Sequence, residues 1–169
     1  TRNMSSAASD VYKRQIMAVS TGTAALVARA FGSANYKEAA QVLLDSLWIG
    51  VILSILAAAS MWLYGESIIS FFGLDPESKK LAVIYIKYTM LFSAAFSSSF
   101  IFSSALRAAG DAKTPLAIMI FQNLLNIYLL IGLVNGQFGF PEMGVVGASY
   151  AWGISFTVGT AVYVIMWLS

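Results

Sequence analysis

The sequence predicts an all-α protein, a polytopic transmembrane helical bundle, and three observations carry that prediction. Only 11% of the residues are charged, against about a quarter in an ordinary soluble domain, and the mean hydropathy is +0.76. Several apolar stretches reach the roughly 20 residues that a helix needs to cross a bilayer's hydrocarbon core. One of them, Pro115–Val134, carries no Asp, Glu, Lys or Arg and holds Gln122, Asn123 and Asn126 at its midpoint. Amides at that depth cannot face lipid without leaving polar groups unpaired, so that helix belongs inside a bundle.

Composition also excludes. The chain has no Cys and no His, which removes disulfides, thiolate nucleophiles, the usual zinc ligands and histidine acid–base chemistry; no metal site is expected. A net charge of +2, with no basic stripe interleaved with aromatics, gives no footprint for nucleic acid.

In chain order, Thr1–Gln15 is polar and abuts an apolar segment, Ile16–Ala28, too short to span. Residues 1–15 are expected to be a non-native leader and 16–30 the second half of a truncated span. A native polar loop before a short re-entrant segment stays open as the alternative. Phe31-Gly32 reads as a helix stop, and Ser33–Gln41 as an interfacial connector.

The next span is 42–63, where Gly50, Ser54 and Ala58 recur every four residues and allow a neighbouring helix close approach. Trp48, Trp62 and Tyr64 mark interfacial belts. After a polar loop, Asp75-Pro76 or Ser78 can start a helix leading into a span at 82–105. Lys87 there either snorkels to the headgroups or lines a pathway. Six serines from Ser93 to Ser104 suit close helix packing.

Leu106–Thr114 is a turn, in which Arg107 and Asp111 form either a gating ion pair or a solvated reversal. Thr114 as N-cap and Pro115 at the first helical position open the amide-bearing span, 115–134. A glycine-rich loop follows, and the last span, 144–168, carries a small-residue ridge of Gly147, Ala151, Ser155 and Gly159. With the leader discarded, Arg29, Lys37, Arg107 and Lys113 outweigh Lys79, Lys80 and Lys87, so the loops around Lys37 and Asp111 are expected on the cytoplasmic side.

Asn123 and Asn126 lie three apart and share a face. They serve either as interhelical glue or as ligand contacts. Tyr128 and Tyr150 either line a cavity for aromatic cations or simply pack.

Four segments carry a family resemblance: GTAALVARAFGSANYKEA at Gly22–Ala39, ALRAAGDAKTPL at Ala105–Leu116, NLLNIYLLIG at Asn123–Gly132 and GFPEMGVVGASYAWGIS at Gly139–Ser155. Together and in order they resemble the multidrug and toxic compound extrusion (MATE) family of cation-coupled efflux transporters. The resemblance implies a partial six-helix lobe of a twelve-helix transporter, helix two in part to helix six of the amino-terminal lobe. It implies alternating access around a central cavity, in the cell membrane and most naturally the bacterial inner membrane. The function implied is export of amphiphilic organic cations or drugs by antiport with sodium or protons, with no other cofactor. The alternative is a lipid-linked precursor flippase of related architecture.

An intramembrane enzyme is set aside, because no span carries a mid-membrane carboxylate, His or Cys. The implied partners are membrane lipid, small cationic substrates, and a first helix and second lobe beyond this sequence. The resemblance implies a substrate- or cation-binding role for Asn126, and Asn123, Gln122, Tyr128 and Tyr150 complete the candidate set from the reading of the residues. In one subgroup of the family the residue matching Asn126 is joined by an acid and a threonine; Leu130 and Trp152 stand at those positions here.

Overall fold

The computed structural model describes the backbone of residues 4–168 and the side chains from Met17 onward. Six helices account for most of it: α1 (Met4–Gly32), α2 (Tyr36–Ser70), α3 (Pro76–Leu91), α4 (Ser93–Ala108), α5 (Lys113–Asn135) and α6 (Gly144–Leu168). The expected leader, Thr1–Gln15, falls outside the residues whose side chains are described. As backbone, α1 runs without a break from Met4.

Three helices, α2, α5 and α6, are each long and apolar enough to cross a membrane. The stretch expected as one span, 82–105, is instead α3 and α4, which meet at Phe92 with a bend of 54° and count as a fourth span if taken together. No proline or glycine marks that bend. At the bend the Phe92 ring sits on Gly153 of α6, where an added Cβ would overlap it, and Ser93 Oγ donates back to the Met90 carbonyl at 2.7 Å. The span expected at 42–63 extends to 36–70, and Asn35 caps its start by accepting from the Glu38 amide at 3.2 Å.

Other ends follow local chemistry. Asp75 caps α3 by accepting from the Ser78 amide at 3.0 Å, with Pro76 at the first helical position. At α5 the expected cap, Thr114, is displaced. The Asp111 carboxylate accepts from the amides of Lys113 and Thr114, both at 3.0 Å, so the helix begins at Lys113. A carboxylate is the stronger acceptor for the positive end of a helix. The same bonds hold Asp111 in the turn, and no Arg107–Asp111 ion pair forms among the described residues.

The helices pack through small residues and hydroxyls. A Cβ at Gly50 would lie 2.6 Å from both Ser97 Oγ and Ile101 Cδ1, so α2 lies hard against α4. Ser54 Oγ donates to the Ser93 carbonyl at 3.2 Å, and Ser93 Oγ reaches the carbonyls of Ser54 and Met90 at 3.2 and 2.7 Å. Ser104 Oγ ties α4 to α1 at the Ser20 carbonyl, 2.9 Å. The α6 ridge does what its spacing predicts: a Cβ at Gly147 would lie 2.5 Å from the Leu133 carbonyl oxygen, and Ala151 and Ser155 are fully buried. On either side of the bend, Ser149 Oγ donates to the Tyr85 carbonyl (3.1 Å) and Thr160 Oγ1 to the Ala95 carbonyl (2.7 Å), so α6 splints both halves of the broken span. Ile101, Phe102, Ala105, Val27, Leu43 and Tyr163 form the larger apolar core.

A cavity between helices α4, α5 and α6

Helices α5 and α6 pack along their lengths, and α4 packs on α6, but α4 and α5 diverge and leave a cavity of about 320 Å³ between them. Each helix contributes one face at helical spacing. From α4 come Ser99, Phe100, Ser103 and Arg107; from α5, Met119, Gln122, Asn123 and Asn126; from α6, Trp152, Phe156 and Tyr163.

The three amides expected at the site are therefore brought together, in different states. Gln122 is buried, donates through Nε2 to Ser99 Oγ at 3.0 Å, and rests on Gly159, where an added Cβ would overlap its amide. It bridges α4 and α5 along the cavity wall. Asn123 turns its Nδ2 back onto the Met119 carbonyl of its own helix, at 2.8 Å. Asn126 is half-buried, lines the cavity, and has no hydrogen bond among the described residues. An amide at this depth without a partner is available to whatever enters.

The opposite wall is aromatic. Trp152 lies 4.8 Å from Phe156 and 5.1 Å from Phe96, centroid to centroid, and Phe96 lies 5.3 Å from Phe100. At the mouth, Arg107 Nη1 donates to Ser103 Oγ at 2.7 Å.

Tyr128 and Tyr150 are not part of this cavity. Tyr128 stacks on Phe138 of the α5–α6 loop at 5.2 Å. Tyr150 packs between Tyr88 and Phe92, 5.8 Å from each, beside the bend. Both make ring contacts in this lobe. Lys87 is held by Glu66, 3.8 Å from Oε1, and by the face of Trp62, 5.8 Å away; it lines neither cavity. Leu130 is not among the lining residues, whereas Trp152 lines the cavity with Asn126. Among the described residues no cluster of acids suited to a metal ion occurs.

A second cavity, about 310 Å³ and mostly apolar, opens among α1, α2, α4 and α6 at the Arg29 end of the bundle. Tyr163, only 2% exposed and stacked on Phe102 at 5.6 Å, lines both cavities and separates them.

The fold has relatives. The MatE family model matches residues 6–131. The chain belongs to the MatE family. It is 35% identical over 147 residues to the "Probable multidrug resistance protein NorM" of Thermotoga maritima, a match covering 87% of this chain and 32% of that protein. Among solved structures it resembles an inward-facing MATE family multidrug resistance transporter of the MOP superfamily, with TM-score 0.77, 28% identity, and coverage of 89% of this chain and 33% of that one. It equally resembles a MOP superfamily transporter from Pyrococcus furiosus, with TM-score 0.79 and 26% identity, covering 89% and 32% of the two chains. The latter is described as having a binding pocket of reverse polarity that suggests a different function. This MatE chain spans about a third of the length of the relatives it matches. Those relatives are transporters and membrane proteins, in keeping with the apolar helices seen here.

Sequence reasoning missed the α4 and α6 walls. Their signal was present: Ser99, Ser103 and Arg107 lie at four-residue steps, as do Trp152 and Phe156. Such stripes also describe ordinary packing, and only the divergence of α4 from α5 turns them into a lining.

Proposed function

We propose that this MatE chain forms part of the amino-terminal lobe of a secondary active efflux transporter in the bacterial inner membrane. The transporter exports amphiphilic organic compounds by antiport with sodium or protons, and the cavity between α4, α5 and α6 is this lobe's share of the substrate path. The observation that carries the reading is Asn126: an unpartnered amide half-buried in a cavity whose far wall is aromatic. Polar anchor and flat apolar wall together suit an amphiphile. The relatives' description as multidrug resistance proteins supports the export direction. An organic cation is the substrate class the resemblance implies, and the faces of Trp152 and Phe156 can hold one through cation–π attraction.

With Leu130 and Trp152 where a subgroup has an acid and a threonine, coupling in this lobe is assigned to residues outside the present sequence. The first helix and the second lobe are the partners that complete the path.

Asn126→Leu in the complete parent protein tests the reading. Export of a hydrophobic cationic dye, measured per unit of membrane-inserted protein, should be strongly reduced while insertion stays normal. Asn126 makes no bond whose loss would weaken the bundle, and even an average interhelical hydrogen bond contributes only about 0.6 kcal/mol. Unchanged export would return Asn126 to a packing role.

A further inference from the structure

We infer that Arg107 reads an oxyanion on the occupant of this cavity: a carboxylate, sulfonate or phosphate carried at one end of an amphiphile. The inference rests on the cavity being the substrate site. Arg107 is the only charged residue among the described residues that line it. Its obvious partner is Asp111, one helical turn on, but that carboxylate is committed to the amides of Lys113 and Thr114. The single salt bridge among the described residues lies elsewhere, between Lys87 and Glu66. The guanidinium spends one donor on Ser103 Oγ. A guanidinium has five N–H donors in a planar fork matched to an oxyanion, so the rest remain for a ligand.

Geometry gives the head a matching body. The guanidinium reaches back to Ser103, and from Ser103 to Phe96, on which Trp152 and Phe156 pack, is seven residues, about 10 Å along the helix. Phe100 lines that interval, and Trp152 and Phe156 wall its far end. A molecule with its anionic group at Arg107 therefore lays its apolar or aromatic part against those rings, with any further polar group within reach of Asn126. A cationic centre elsewhere on the same molecule is compatible with this placement; a molecule whose only charge is a cation at the Arg107 end is not.

The experiment uses the complete parent protein in nanodiscs of zwitterionic lipid, with two probes sharing one aromatic body. These are 8-anilinonaphthalene-1-sulfonate and the neutral N-phenyl-1-naphthylamine. Binding at the site is defined as the component that Trp152→Ala weakens. The wild type should bind the sulfonate about tenfold or more tighter than the neutral probe, the scale of a charge-assisted hydrogen bond. Arg107→Gln should abolish that preference and leave the neutral probe unchanged, and Arg107→Lys should retain part of it.

Repeating the titration in phosphatidylglycerol nanodiscs distinguishes two sources of the same chemistry. Displacement of the sulfonate from the wild type but not from Arg107→Gln makes a lipid headgroup the natural occupant, and no displacement makes it a free solute. Either supports the oxyanion role. If Trp152→Ala weakens both probes but Arg107→Gln spares the sulfonate, the role is overturned while the site stands. If Trp152→Ala affects neither probe, the site itself fails and the inference with it.

Discussion

Gln122 spends its amide on Ser99 and its stem on Gly159, whereas Asn126, four residues on, spends nothing. Substitutions should separate the two roles. Gly159→Ala would drive a methyl into the Gln122 amide, and overpacking of that kind costs about 1–3 kcal/mol. The expected outcome is a lowered melting temperature in detergent, with loss of the Gln122–Ser99 bridge. Gln122→Leu should likewise lower thermal stability, because it leaves Ser99 without its donor deep in the bundle. Asn126→Leu should not. Equal melting temperatures for the Gly159 variant and the wild type would show that α5 and α6 can part slightly without cost.

The broken span sets the next scale. Phe92 in the notch of Gly153, the Ser54–Ser93 contacts and the two hydroxyls of α6 together hold a bend of 54°. Gly153→Ala should expel the Phe92 ring and loosen both halves, seen as faster amide exchange on each side of residue 92; exchange confined to α6 would contradict that account. At the start of α3, the Ser78 amide and hydroxyl hold the Asp75 carboxyl below its usual value of 3.8. The sign follows: the cap is fully present above the unfolded carboxylate's value and is lost as pH falls through the lower, folded one. At neutral pH, Asp75→Ala should expose the Ser78 amide to exchange, and wild-type protein should lose the same protection only in strong acid.

What could be read beforehand divides along the same line. Helix faces were legible, because i, i+3 and i+4 spacing is local: the α6 ridge and the shared face of Asn123 and Asn126 both hold. The bend was not legible, because contacts that hold it join residues far apart in sequence, such as 92 with 153 and 54 with 93. Nor were the ring partners of Tyr128 and Tyr150, which depend on where Phe138 and Tyr88 arrive.

For the whole molecule, alternate helix direction puts the turns near Lys37 and Asp111 at one end of the bundle and those near Asp75 and Glu142 at the other. The apolar cavity supports the first grouping, since it joins Phe31 and Tyr36 to Leu106 and Ala109. With the Lys and Arg excess at that end, single cysteines at positions 37 and 111 should be shielded from an impermeant thiol reagent in whole cells, and those at 75 and 142 labelled. The chain has no cysteine to interfere. The reverse labelling pattern would invert the lobe and move the mouth at Arg107 to the outer face.

Because Tyr163 parts the two cavities, each has a tryptophan of its own: Trp152 in the one between α4 and α5, Trp167 in the apolar one. Trp48 and Trp62, 68% and 47% exposed, stand on the outside of the bundle. Indole emission follows the polarity around the ring, so this part of the transporter carries an optical signal for each compartment. A compound that shifts the emission of Trp152 and leaves Trp167 unmoved has entered by the polar mouth, and one that does the opposite has come through the apolar side.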